Sequence, residues 1–84
     1  MTYNINYKNS VSKDFGRIDR KKCKRVVNKI EEELSRYPEK GKRLTDNYKG
    51  LISYRIGEYR VIYSIMPDNN ILILRIAHRK EVYK

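Results

Sequence analysis

Residues 51–66 read LISYRIGEYRVIYSIM, and the Gly57-Glu58 pair at their centre decides the fold. Two runs rich in β-branched and aromatic residues flank two residues that suit a tight turn. Glycine at the first loop position favours a type II′ hairpin, whose twist matches that of its strands. The register then follows. Ile56 faces Tyr59, Arg55 faces Arg60, Tyr54 faces Val61 and Ser53 faces Ile62. Arg55 and Arg60 therefore stand opposite each other on one face. Like charges placed directly across a sheet destabilise it. An anion between them relieves the repulsion, and a phosphate matches the guanidinium fork.

Working outward, Pro67-Asp68-Asn69-Asn70 is a turn that leads into a third strand over residues 71–77. Strict alternation there puts Leu72, Leu74 and Ile76 under a helix, with Ile71, Ile73 and Arg75 on the other face. Residues 39–49 are polar, with Leu44 as the one apolar anchor, and read as a loop. Upstream, Asp19 is a helix N-cap. Cys23, Val27, Ile30, Leu34 and Tyr37 follow at spacings of 4, 3, 4 and 3, an apolar stripe on a helix closed by Pro38 and Gly41. Ser10 or Ser12 caps a shorter helical turn carrying Val11 and Phe15 and ended by Gly16. Before it, Tyr3, Ile5 and Tyr7 alternate with Asn4 and Asn6 as a half-buried strand. The expectation is an α+β domain over residues 1–84: one strand, two helices, then a three-stranded antiparallel meander with the helices on one face.

Charge is the strongest compositional signal. Lys and Arg number 20 against 10 Asp and Glu, a net charge of +10. Such a surface repels itself, and polyanions, nucleic acid above all, are its usual partners. Lys21, Lys22, Lys24 and Arg25 crowd the first turns of the long helix. There they oppose the macrodipole by roughly 0.3–1 kcal/mol per exposed charge. A helix tuned for stability would carry acids there, so this basic face is a candidate for docking a nucleic acid backbone.

Cys23 is the only cysteine and His78 the only histidine. That composition supports neither an internal disulfide nor a zinc site, and no metal or other cofactor is expected. No signal peptide or membrane span is expected either, and the predicted location is the cytoplasm.

The segment Ala77-His78-Arg79-Lys80-Glu81-Val82-Tyr83-Lys84 gathers an imidazole, three cations and a phenol behind the last strand. Beside Arg55 and Arg60 these residues form a candidate phosphodiester site. RNA cleavage there needs a base for the 2′-hydroxyl, cations for the charge developing on phosphorus, an acid for the leaving oxygen, and in-line alignment. Arginines meet the second demand without a metal. His78 offers an imidazole, the side chain most used for proton transfer.

The stretch from Tyr54 to Tyr63, followed by the one from His78 to Tyr83, resembles the RelE-type toxins of prokaryotic toxin–antitoxin systems. The resemblance implies a microbial-RNase-like fold and a metal-independent endoribonuclease that cuts messenger RNA in the ribosomal A site. It also implies a RelB-type antitoxin that wraps the toxin. Position by position, Arg60 is similar to the arginine that holds the reacting phosphate, and Arg55 to a basic strand residue of the site. Arg79 is similar to the tail arginine assigned to transition-state or leaving-group stabilisation, and Tyr83 to the aromatic on which a base stacks. His78 has counterparts in some branches.

One departure stands out. A well-studied branch carries a lysine two residues before the Arg55 position, where this chain has Ser53. Lys49 and Lys80 are the sequence candidates to replace that cation, with Arg75 a further basic residue on the same face. Two other readings share the scaffold. One is a ParE-type toxin, which inhibits DNA gyrase; the other is an RNA-binding protein without catalysis.

Overall fold

The computed structural model describes residues 2–44 and 50–80. Strand β1 (Asn4–Tyr7) leads into helix α1 (Val11–Gly16) and helix α2 (Arg20–Lys29), which continues through a π-helical turn, Ile30–Leu34. Strands β2 (Lys42–Arg43), β3 (Ile52–Ile56), β4 (Tyr59–Met66) and β5 (Asn70–His78) follow. They form one five-stranded sheet in the order β1-β5-β4-β3-β2. β1 runs parallel to β5, and the other pairs are antiparallel. The α+β class and the hairpin meander are those expected. The short strand β2 is additional, inside the segment read as a loop.

The β3–β4 hairpin has the expected register. Ile56 pairs with Tyr59, and Arg55 with Arg60. Gly57 takes φ +59°, the left-handed value that the first position of a type II′ turn requires. The next turn also uses left-handed backbone, at Asp68 and Asn69, residue types that tolerate it.

The faces of β5 differ from the alternation expected of them. Ile71 and Ile73 are wholly buried, whereas Leu72 and Leu74 are half-exposed. The cause is a bulge. Ile62 pairs with Arg75 and Tyr63 with Ile73, so Leu74 has no partner on β4. One extra residue inverts the parity of everything beyond it. Ile76 consequently returns to the core, 1% exposed.

The stripe on α2 is also shifted. Val26, Ile30 and Leu34 are the buried positions; Val27 is half-buried and Tyr37 is 60% exposed. An α-helix turns about 100° per residue, so positions four apart drift by about 40°. The wider π turn takes that drift back and keeps Ile30 and Leu34 aimed at the sheet. Tyr37 falls beyond the helix end, where Lys40 Nζ lies 5.9 Å above its ring. Asp19 does cap α2, its carboxylate accepting from the Lys21 backbone N–H at 3.2 Å. Ser10 occupies the α1 cap position without a side-chain hydrogen bond.

The core lies between the helices and one sheet face. Val11, Val26, Ile30 and Leu34 meet Ile52, Val61, Tyr63 and Ile76 there. Tyr63 is fully buried, and its hydroxyl donates to the Pro38 carbonyl at 2.7 Å and accepts from the Gly41 N–H at 3.3 Å. Burial pushes the Tyr63 phenol pKa up, so the group stays neutral and able to donate. Gly41 sits against β3 so closely that a Cβ would lie 2.6 Å from Ile52 Cγ2 and 2.8 Å from the Ser53 carbonyl oxygen. This contact is what brings β2 onto the sheet.

Tyr63→Phe should therefore lower stability by about 1–3 kcal/mol, because it strands two buried backbone groups. Gly41→Ala should also destabilise, by forcing the segment off β3. Urea denaturation midpoints check both; midpoints equal to wild type would refute this account of β2.

Candidate functional site

Core packing claims one face of the sheet, and the other carries the cations together with Ile62 and Ser53, which are themselves buried. Register sorts that second face into rows. One row runs Lys42, Ser53, Ile62, Arg75 across β2, β3, β4 and β5. The next runs Arg55, Arg60, Ala77 across β3, β4 and β5. Arg55 is exposed and Arg60 half-buried. Arg55 Nε donates to the Gly57 carbonyl at 3.2 Å, which ties the guanidinium back to the turn. Neither arginine has a carboxylate partner among the described residues. The arrangement is a candidate anion clamp: two guanidiniums on neighbouring strands with no carboxylate partner among the described residues.

Arg79 joins the same end of the sheet. Its backbone N–H donates to the Glu58 carbonyl at 2.9 Å, which brings the start of the tail beside the hairpin. Lys80 is exposed, and its N–H donates to His78 Nδ1 at 3.3 Å. His78 itself lies elsewhere. It pairs with Tyr59 on the helix-facing side, the two rings edge-to-face with centroids 5.8 Å apart. Its Nε2 lies 3.7 Å from the Glu58 carboxylate. The structure thus does not bring His78 onto the face of Arg55 and Arg60; Ala77 is the residue opposite Arg60.

Lys21, Lys22, Lys24 and Arg25 are also away from the clamp. They lie on α2, which packs Val26 against the core on the opposite side of the sheet. Lys22 and Arg25 line a cleft there with Gly57, Glu58 and Tyr59 at the hairpin tip. Arg75 is half-buried, pairs with Ile62, and also lines a cleft with Asp14 and Arg17 at the open edge of β5. Asp14 closes that edge, accepting from the Ile76 N–H at 3.0 Å. Lys49 and Tyr83 lie outside the described residues.

The cation that sequence reading overlooked is Lys42, directly across from Ser53. No periodicity marks a two-residue strand. The only signal was a lysine next to a glycine in a polar segment. Ser53 is 4% exposed, and its hydroxyl has no hydrogen-bond partner among the described residues. The cations flanking Lys42 are neutralised: Lys40 by Glu33 at 2.8 Å and Arg43 by Glu39 at 2.6 Å. The Lys40 ammonium holds the Glu33 carboxyl below the usual carboxylate range. Burial raises the Cys23 thiol pKa, which keeps it protonated and a poor nucleophile. Among the described residues no group of His, Cys, Asp and Glu is placed to hold a metal ion, and no helix is long and apolar enough to cross a membrane.

The fold is a five-stranded sheet with the helices on one face and the Arg55–Arg60 pair on the other. The family described as the ParE toxin of type II toxin–antitoxin systems matches residues 5–83. The chain belongs to that family and is a RelE/ParE-type toxin of a type II toxin–antitoxin system. It is similar to toxin RelG of Mycobacterium tuberculosis, 30% identical over 86 residues that span 100% of this chain and 99% of the relative. It is also similar to the crystal structure of the toxin–antitoxin complex RelBE2 from M. tuberculosis, with TM-score 0.88 and 30% identity over 94% of this chain and 100% of that one. Free E. coli RelE shares the fold, with TM-score 0.77 over 99% of this chain and 90% of that one, at 10% identity.

An anion that binds the clamp should stabilise the fold by mass action. Phosphate should raise the melting temperature of the wild-type chain and raise that of Arg60→Ala less. Equal shifts in both would show that the pair is no anion site.

Proposed function

We propose that this toxin is a metal-independent endoribonuclease that cuts messenger RNA in the ribosomal A site. The observation that carries the reading is Arg55 standing directly across from Arg60 on the face the helices leave open. In this reading Arg60 holds the reacting phosphate, with Arg55 beside it. Arg79, next to the hairpin, offsets charge developing on phosphorus or on the leaving oxygen. Tyr83 stacks on a base, and Lys80 adds charge to the tail. His78 acts by position: its contacts with Tyr59, Glu58 and the Lys80 N–H hold the tail in place.

No carboxylate or imidazole shares the strand face with Arg55 and Arg60 among the described residues. The face therefore supplies charge and alignment more than proton transfer. A substrate that arrives already ordered compensates for that lack, and messenger RNA held on the ribosome is such a substrate. The chain acts as a single toxin domain in the cytoplasm. It is neutralised by a RelB-type antitoxin, a partner supported by the likeness to the mycobacterial toxin–antitoxin complex.

The ParE family description favours a second reading, inhibition of DNA gyrase by binding. Primer extension on messenger RNA after expression separates the two. Cuts within translated codons that vanish in Arg60→Ala and Arg79→Ala, both still folded by circular dichroism, are expected. Intact messenger RNA together with gyrase–DNA cleavage complexes would overturn the nuclease reading.

A further inference from the structure

Lys42 reaches the open face by a route unlike that of the other cations. It belongs to a strand of two residues that pairs Lys42 with Ser53 and Arg43 with Ile52, with the Leu44 N–H donating to the Leu51 carbonyl at 3.0 Å and Gly41 seated under Tyr63. Residues directly opposite in an antiparallel pair have Cβ atoms about 4.5–5.5 Å apart, and diagonal neighbours about 7–8 Å. Lys42 is thus the direct neighbour of Ser53 and the diagonal neighbour of Arg55. It is exposed and pairs with no acid among the described residues, while Lys40 and Arg43 on either side each have one. Beside it is the Ser53 hydroxyl, buried and unpartnered.

The geometry points to Lys42 as the third cation of the RNA site, standing in space where Ser53 leaves a gap in sequence. The inference rests on the proposed reading of the Arg55–Arg60 face. Lys42 holds the phosphate adjoining the one clamped by Arg60. An ammonium on a flexible stem suits that task as a point charge, without the planar fork that the reacting phosphate meets. The competing account makes Lys42 a solvated edge-strand lysine that blocks sheet-to-sheet pairing.

The test is binding of a short single-stranded RNA with 2′-O-methyl groups, which blocks cleavage, to the purified toxin over a series of salt concentrations. Lys42→Ala should weaken binding by about tenfold. It should also reduce the salt slope by about 0.7, the value for one lost phosphate contact on a single strand. Lys42→Arg should retain most of both, because it keeps a cation at the same exposed position. Lys13→Ala, an exposed cation on α1, measures the effect of net charge alone. If Lys42→Ala matches Lys13→Ala while Arg60→Ala loses binding, Lys42 is only an edge lysine. Failure of Lys42→Arg to retain binding would overturn the assignment in the same way. If Arg60→Ala also matches Lys13→Ala, the reading of the whole face falls with it.

Discussion

The left-handed turn at Gly57 sets the register of β3 against β4, and the cations of the open face take their places from that register. A slip of β4 by one residue would send Arg60 into the core and Val61 and Tyr63 into solvent. The hydrophobic demand of one face therefore enforces the electrostatic arrangement of the other. Arg55 and Arg60 are kept opposite each other against their own repulsion because Ile52, Ile56, Val61 and Tyr63 cannot be buried any other way. Stability and site are two sides of a single pairing.

The same logic extends to the sheet's edges. Tyr63 points its hydroxyl at the segment before β2, and Gly41 lets that segment lie flat against β3. β2 then carries Lys42 to the open face. At the opposite edge β1 covers β5 only as far as Ile73. Asp14 of α1 satisfies the next outward N–H, that of Ile76, in place of a strand. The tail leaves from there and turns back beside the hairpin through the Arg79–Glu58 backbone bond. Each edge thus delivers one charged element to the clamp.

Legibility in the sequence followed the range of the interactions concerned. The hairpin, its register and the Asp19 cap depend on adjacent residues and could be read directly. The two misjudged faces depended on something longer. On β5 the alternation of Leu72, Leu74 and Ile76 looks regular, but the bulge at Leu74 is a property of its pairing with β4. On α2 the choice of Val26 over Val27 turns on a π turn several residues downstream. Lys42 was illegible because a two-residue strand has no period, and its place is set by Tyr63, far along the chain. For the site, Arg55 and Arg60 were legible through register, whereas the separation of His78 from them required knowing which way each strand residue faces.

That separation explains how a strongly basic chain can keep its charges useful. Lys21, Lys22, Lys24 and Arg25 oppose the dipole of α2, while Glu31, Glu32 and Glu33 gather at its far end. The helix is held by Val26, Ile30 and Leu34 in the core and not by its surface charges. Placing those cations on the helical side keeps them from adding to the repulsion already stored between Arg55 and Arg60. At +10, with screening over about 10 Å at ordinary salt, crowding every cation onto one face would have set the core against a single concentrated field. Dividing them between two faces leaves Arg55 and Arg60 with only the few neighbouring charges that register positions.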